Sequence, residues 1–274
     1  MNKEDFAKKK STYEIYNALG IGSVLIGFVS FLGNPSVGLM LFIGGAIFTV
    51  IISSAFKKLS TAFKTTYIKQ VIENLYPTTT FSPDKGFTKE EVYDTLVLGR
   101  EDRFASEDMI EGSLWDRNFR CADLHLQDVR RSGKSTTVVT VFRGRFYEIE
   151  FDKMLSTPVY IVDNQSILHR FSGFEKMEME WVEFNKTFDV FGKDQLGVFR
   201  LIKPRFMEKV VDLKEKYKRI QIGFIENKLY VAIHNGVDTF DLRMYKPIDE
   251  GYLDEIKREF EDVRLLIETL TSEL

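Results

Sequence analysis

From Asn17 to Phe56 the chain runs for forty residues without Lys, Arg, Asp, Glu or His. Gly33-Asn34-Pro35-Ser36 interrupts the run. Proline lacks an amide donor and restrains the residue before it, so this is a turn and not a helix middle. Two arms remain, 15–32 and 37–56, each close to the ~20 residues that cross a hydrocarbon core. The pattern predicts a two-helix transmembrane hairpin over 17–56. A buried soluble hairpin is the competing reading, but neither arm has a polar face. A cleaved signal peptide is a second competitor, but no A-x-A-like site follows Leu32 and the second arm comes at once. Small residues recur at four-residue spacing: Ala18 and Gly22, Ser23 and Gly27, then Gly45, Thr49 and Ser53. That spacing lets helix backbones approach closely, so the two arms are expected to pack on each other.

After the hairpin the period stays helical. Leu59, Phe63, Tyr67, Val71 and Leu75 step by four, with Ile68 and Ile72 beside them, and predict an amphipathic connecting helix over 57–76. Residues 77–86 are rich in Thr, Pro and Gly and mark a domain boundary. Thr88-Lys89-Glu90-Glu91 has capping-box spacing and opens a short helix to about Leu98. The texture then turns to strands, expected over 109–115, 119–129, 136–151, 159–162, 177–182 and 187–190, with a bend at Gly144. Pro204 starts a helix through Phe206, Met207, Val210, Val211, Leu213 and Tyr217. Residues 220–225 and 229–233 flank the polar turn Glu226-Asn227-Lys228 and predict a hairpin. Ile256, Phe260, Val263, Ile267 and Leu270 predict a C-terminal amphipathic helix. The fold class expected is α+β: the helical hairpin, then a mainly antiparallel sheet with helices over 77–274, with a pleckstrin-homology-like barrel as a variant.

Charge adds orientation. Residues 1–76 carry eight Lys/Arg and four Asp/Glu, a net of +4, and the remainder carries 30 and 37, a net of −7. Lys8, Lys9 and Lys10 precede the first arm, Lys57, Lys58 and Lys64 follow the second, and the turn between the arms is uncharged. The positive-inside rule then places both termini, including the basic segment 1–16, in the cytoplasm. Lys57, Lys58, Lys64 and Lys69 can reach phospholipid headgroups; a connecting helix docked on its own domain is the alternative. An acidic body gives nucleic acid no cationic face, so no nucleic-acid partner is expected. The single cysteine, Cys121, excludes an intramolecular disulfide. No ionisable group lies within the span, which argues against a transporter.

Candidate chemistry is thin. Gly133-Lys134-Ser135 ends like a P-loop, but Asp128 stands where the first glycine belongs and β-branched residues follow; a hairpin turn is expected there. His125, His169 and His234 have no metal-ligand spacing, and Cys121 near His125 supplies two ligands at most. Glu101, Asp102, Glu107, Asp108 and Glu111 cluster ahead of the strands, where carboxylates can do acid–base work or form a solvated face. Trp115 and Trp181 read as core or rim aromatics, and Arg117, Arg120, Arg130 and Arg131 as cations for anionic headgroups if their faces coincide. No residue is assigned a catalytic, cofactor-binding or metal-binding role, and no cofactor is expected.

Several pieces are familiar together: Glu111-Gly112, Phe142-Arg143-Gly144-Arg145-Phe146, Phe184-Asn185-Lys186-Thr187-Phe188, Leu201-Ile202-Lys203-Pro204-Arg205-Phe206-Met207, and the run from Phe224 to Ile233. From about Gly86 to the C-terminus, with the paired arms, the chain resembles a bacterial family of membrane-anchored proteins known only as a domain of unknown function. The resemblance implies a bacterial, membrane-bound, cytoplasm-facing protein and carries no catalytic residues. The expected function is a membrane-tethered, noncatalytic module whose partners are the lipid bilayer and a protein or lipid headgroup. The alternative is a membrane-surface enzyme centred on the acidic cluster or Cys121. A cleft gathering Asp102, Asp108, Glu111 and a histidine would favour the enzyme; an exposed apolar groove or a bare strand edge would favour binding.

Overall fold

The computed structural model describes residues 3–114, 116–133, 135–151, 157–163, 168–236, 240–248 and 250–271. It divides into two units, Met1–Val71 with Phe240–Tyr252, and Ile72–Thr239 with Leu253–Leu274. The expected body 77–274 thus gives up residues 240–252 to the helical unit.

The first unit is a hairpin of α1 (Lys3–Ser30) and α2 (Pro35–Phe63). Asn34 caps α2, its Oδ1 accepting from the Val37 N–H at 3.3 Å, and Pro35 takes the first helical position, where a missing donor costs nothing. The arms meet through glycines: a Cβ on Gly27 would lie 2.5 Å from the Phe42 nitrogen, and one on Gly38 would lie 2.4 Å from Phe31 Cα. Ser23, Gly27, Gly45 and Thr49 are on this seam as the spacing suggests; Gly22 faces open space, and Gly20 and Gly38 join the seam instead. Outside the seam the apolar side chains are bare: Phe28 is 70% exposed and Met40 78%. Both helices are long and apolar enough to cross a membrane, and so continuous an apolar surface has hydrocarbon as its natural solvent.

Polar ties gather residues 240–248 onto the lysine-bearing ends of these helices. Asp241 accepts from Ser60 Oγ at 3.0 Å and pairs with the buried Lys64 at 2.9 Å. The Tyr245 N–H donates to Glu14 Oε1 at 2.6 Å and its hydroxyl to Asn17 Oδ1 at 2.9 Å, while Lys10 pairs with Glu14. Lys10 and Lys64 are therefore buried in ion pairs, and of the lysines expected at headgroups Lys57 and Lys58 are exposed. After α2 comes a π-helical turn, Lys64–Ile68, and then α3 (Lys69–Leu75). The π turn adds one residue to the helical period. The buried face consequently passes from Leu59 and Phe63 to Ile68 and Ile72, and Leu75, expected on it, is 40% exposed.

The second unit is α+β, as expected. It contains β1 (Thr79–Ser82), α4 (Lys89–Tyr93), β2 (Arg103–Leu114), β3 (Arg117–Ser132), β4 (Ser135–Glu150), β5 (Val159–Asp163), β6 (Glu175–Met177), α5 (Val182–Thr187), β7 (Phe188–Gly192), α6 (Gln195–Leu201), α7 (Pro204–Lys216), β8 (Arg219–Ile225) and β9 (Lys228–His234). The C-terminal helix α8 spans Glu250–Thr271. All nine strands form one antiparallel sheet in the order β1-β2-β3-β4-β9-β8-β5-β7-β6. The pleckstrin-homology-like variant does not hold. A barrel needs its outer strands to meet, whereas β1 pairs with β2 alone and β6 with β7 alone among the described residues.

Strand alternation splits the residues between two faces. Ala122, Leu124, Leu126, Phe142, Phe146 and Tyr230 pack with Phe87, Val92, Tyr93, Val97 and Leu98 from the segment around α4. On the other face Phe119 and Tyr147 hold Phe260 of α8 at ring distances of 6.2 and 6.1 Å, and Phe224 holds Phe206 of α7 at 6.0 Å. Thr88 forms the expected capping box with Glu91, although the helix ends at Tyr93. β2 begins at Arg103, six residues before the expected strand, and is bulged between Glu107 and Ile110, where Asp108 has a φ of 61°. Trp115 lies outside the described residues. The strand expected over 187–190 is β7, whereas the one expected over 177–182 is corrected: only Met177 is in a strand, β6, and residues 182–187 form α5. The Phe184 and Phe188 rings meet at 5.1 Å in a tilted contact, and the Asn185 side chain bonds both the N–H and the C=O of Met179.

Candidate functional site

The enzyme alternative loses its residues one at a time. Cys121 is fully buried, and burial pushes its thiol far above the reactive range. His125 lies four residues along the same strand, roughly 13 Å away at 3.3 Å per residue, so the two side chains make no dyad. His125 Nε2 lies 3.0 Å from Thr140 Oγ1, and burial with the Arg143 cation lowers its pKa. β2 carries Asp108 and Glu111 away from Glu101 and Asp102. Asp102 accepts from the Val129 N–H at 2.7 Å, Asp108 is buried in the bulge, and Glu111 faces Lys85 at 4.0 Å. Among the described residues no group of three His, Cys, Asp or Glu side chains is placed to hold a metal ion. Trp181 is half-buried and stacks on Phe184 at 6.3 Å.

The four arginines do not share a face. Arg117 lies 5.4 Å from the Phe151 ring. Arg120 is held between Glu91 and Glu148, at 2.9 Å from each, over the Phe87 ring. Arg130 and Arg131 alone reach the end of the β3–β4 ribbon. Lys134 lies outside the described residues, but Ser132 pairs with Ser135 across it, Gly133 has a φ of 58°, and the chain continues as β4 rather than as a helix. β3 and β4 thus form a hairpin through the Ser132–Ser135 pair, as the β-branched residues after Ser135 suggest.

A charge cluster that sequence reading did not single out lies beneath α8. Arg145 is completely buried, donates from Nε to Asp123 Oδ1 at 2.9 Å, and has Nη1 3.3 Å from Glu259 Oε1. The Tyr147 hydroxyl donates to the same Glu259 oxygen at 2.7 Å. Burial acts to lower the arginine's pKa, but the two carboxylates outweigh it and raise the pKa further. Burial and the Glu259 charge raise the tyrosine. The group ties β3, β4 and α8 together and presents nothing to solvent. Charged residues flanked by apolar strand positions, Asp123 and Arg145, were its only signal in the sequence.

Two features do face solvent. An open groove of about 970 Å³ is walled by Phe87 and Phe104 and rimmed by Glu90, Glu101, Asp102, Arg103 and His125. Burial, with the Asp128 and Asp102 charges, raises the Glu101 carboxyl. Of the gathering that would favour an enzyme, the groove holds Asp102 and a histidine but neither Asp108 nor Glu111.

The second is a bare strand edge. β9 pairs with β4 from Glu150 back to Gly144; Arg143 is still bonded on this side, its carbonyl accepting from the Gly236 N–H at 2.9 Å and its N–H donating to His234 Nδ1 at 3.0 Å, and beyond Val141 β4 continues to Ser135 paired with β3 alone among the described residues. Val141 is an extra residue in this ladder, and its carbonyl accepts from Arg219. Hydrogen-bonded and non-hydrogen-bonded pairs alternate along an antiparallel ladder. Counting from the Ser132–Ser135 pair that flanks the two-residue loop, the amides and carbonyls of Thr136, Val138 and Thr140 turn outward. The opposite strand agrees, since the Val129 N–H turns away from β4 to reach Asp102. The edge sequence Thr136-Thr137-Val138-Val139-Thr140-Val141 is uncharged and β-branched throughout, and so lacks the lysines and prolines that usually protect an edge. The edges of β2 and β6 differ. The segment before α4 covers β2, with Asp108 and Met109 N–H groups donating to Pro83 and Lys85 carbonyls, and β6 has only three residues.

No curated protein matches this chain. The crystal structure of the mycobacterial trehalose monomycolate transport factor A, TtfA, is similar with a TM-score of 0.41 at 10% identity, over 74% of this chain and 93% of that one. So distant a likeness carries no argument about function. Residues 140–272, just under half of the chain and running from β4 to the end of α8, match the family described as Protein of unknown function (DUF3137), so this part of the body falls in a domain family of unknown function, as its motifs imply.

Proposed function

We propose that this chain is a membrane-tethered binding module: the hairpin over 17–56 anchors it in a bacterial plasma membrane with both termini cytoplasmic, and the body after the 77–86 junction captures an extended segment of a protein partner. The observation that carries the reading is the uncharged edge of β4 from Thr136 to Val141, whose outward backbone groups have no strand beside them among the described residues. Strand addition draws affinity from main-chain hydrogen bonds and specificity from alternate side chains, and here Thr136, Thr137 and Val138 are exposed for such contacts. The burial of Cys121 and the dispersal of the carboxylates support binding over catalysis.

A photo-crosslinking residue at Thr137 of the full chain in its native membrane tests this. It should capture a partner protein, whereas the same residue at the exposed Lys89 should not. Val138→Pro removes an outward amide while leaving the β3–β4 ladder its bonds, and should abolish capture without shifting the melting temperature. Capture that survives Val138→Pro would count against strand addition, and capture of a second copy would make the partner the chain itself.

A further inference from the structure

α6 presents an exposed apolar pair with Arg200 on the same helix, and Arg205 follows at the start of α7. Leu196 is 68% exposed and Phe199 37%, while Val198 and Leu201 are buried. Residues three apart share a side of a helix, so the two exposed apolar side chains project together. The helix is firmly seated: Asp194 caps it by accepting from the Leu196 N–H at 3.2 Å, and Val198 packs so closely that a Cβ on Gly192 would come within 2.6 Å of it. Between residues 193 and 209 stand five Lys/Arg and two Asp/Glu, in a body that is otherwise acidic. Lys193 lies 4.8 Å over the Phe174 ring. Arg200 and Arg205 are exposed, and neither is paired with a carboxylate among the described residues.

We propose that this side of α6 docks on a bilayer bearing anionic headgroups. Leu196 and Phe199 enter the boundary between headgroups and acyl chains, and Arg200 and Arg205 meet lipid phosphates. An apolar pair bordered by unpaired cations is the pattern of interfacial helices, and the local positive charge complements phosphate where the rest of the body would repel it. Two side chains and two cations give weak, reversible contact. That suffices for a chain already held at a membrane, because tethering makes the second contact intramolecular. The inference rests on the tether in the reading above and is independent of strand capture.

The test uses the full chain in phosphatidylcholine vesicles with and without phosphatidylglycerol. Gln195→Cys carries an environment-sensitive fluorophore, and the lipid carries a nitroxide quencher. Quenching is expected with phosphatidylglycerol and should vanish in Leu196→Ser/Phe199→Ser. In Arg200→Glu/Arg205→Glu the association should fall by more than about tenfold, since each cation at an anionic surface contributes roughly fivefold. Carbonate extraction reports the tether separately, and an extracted chain overturns the tether and this inference with it. A retained chain whose label stays unquenched overturns α6 docking alone, as does quenching that persists in both substituted forms. A label already shielded in detergent, without lipid, would mean that protein covers α6 and would overturn the bilayer assignment.

Discussion

Arg145 shows how a buried charge becomes indispensable without being active. Its guanidinium sits between Asp123 and Glu259 with no exposed surface. Arg145→Met leaves two buried carboxylates facing each other and should destabilise the fold by about 3–5 kcal/mol in urea denaturation. Replacing Arg145, Asp123 and Glu259 together by apolar residues of similar size should cost less, because no charge is then stranded. His234 makes a pH prediction. Its Nδ1 accepts from the Arg143 N–H at 3.0 Å, which requires an unprotonated ring nitrogen. Burial, helped by Arg219, Lys218 and Lys214, lowers its pKa from the ordinary 6.5 to about 4. The folded state therefore binds this proton less readily than the unfolded state. The contribution is complete above pH 6.5, is lost as pH falls from 6.5 towards 4, and is constant below that. Asparagine can accept the same bond without titrating. The stability difference between wild type and His234→Asn should therefore vary with pH only inside that window, and a difference that is flat there would refute the assignment.

At the scale of elements, local sequence was informative wherever the signal was local. The turn at 33–36, the β3–β4 hairpin, the capping box at Thr88, the proline start of α7 and the β8–β9 hairpin all stand where their residues suggest. The failures have a common cause. Residues 177–182 alternate like a strand, but β6 ends at Met177 and the Asn185 side chain bonds both the N–H and the C=O of Met179, tying this stretch to the helical turn α5. The π turn at Lys64–Ile68 likewise displaced the buried face by one residue. Gly144, expected to bend β4, marks the point where β9 begins to pair with it. A Cβ there would lie 2.0 Å from the Ile233 carbonyl oxygen, and the residue's φ is 158°. Gly144→Ala should cost about 2–4 kcal/mol by thermal or urea denaturation. An unchanged midpoint would mean that the two strands separate easily.

For the whole molecule, orientation is the testable property. Lysines flank both helices and the connecting turn is uncharged. A cysteine at Ser36 should react with an impermeant thiol reagent added outside the cell, and one at Ser272 should not. The native Cys121 is buried and adds no background. Labelling of Ser272→Cys in intact cells would reverse the topology and remove the cytoplasm as the place where a partner is captured.

The sequence by itself determined the helical hairpin, the α+β class and the absence of a recognisable reaction motif. These follow from periodicity, turn chemistry and charge, which act over a few residues. Whether five neighbouring carboxylates share a site depends on the register and bulge of β2, and these are set by strands it meets only after folding. The burial of Cys121 and the ion cluster joining β3, β4 and Glu259 are likewise products of contacts between distant segments. The bare edge of β4 is the clearest case. Its β-branched sequence suits either a central or an edge strand, and it is the β4–β9 ladder ending at Gly144 that leaves residues 136–141 without a second strand among the described residues.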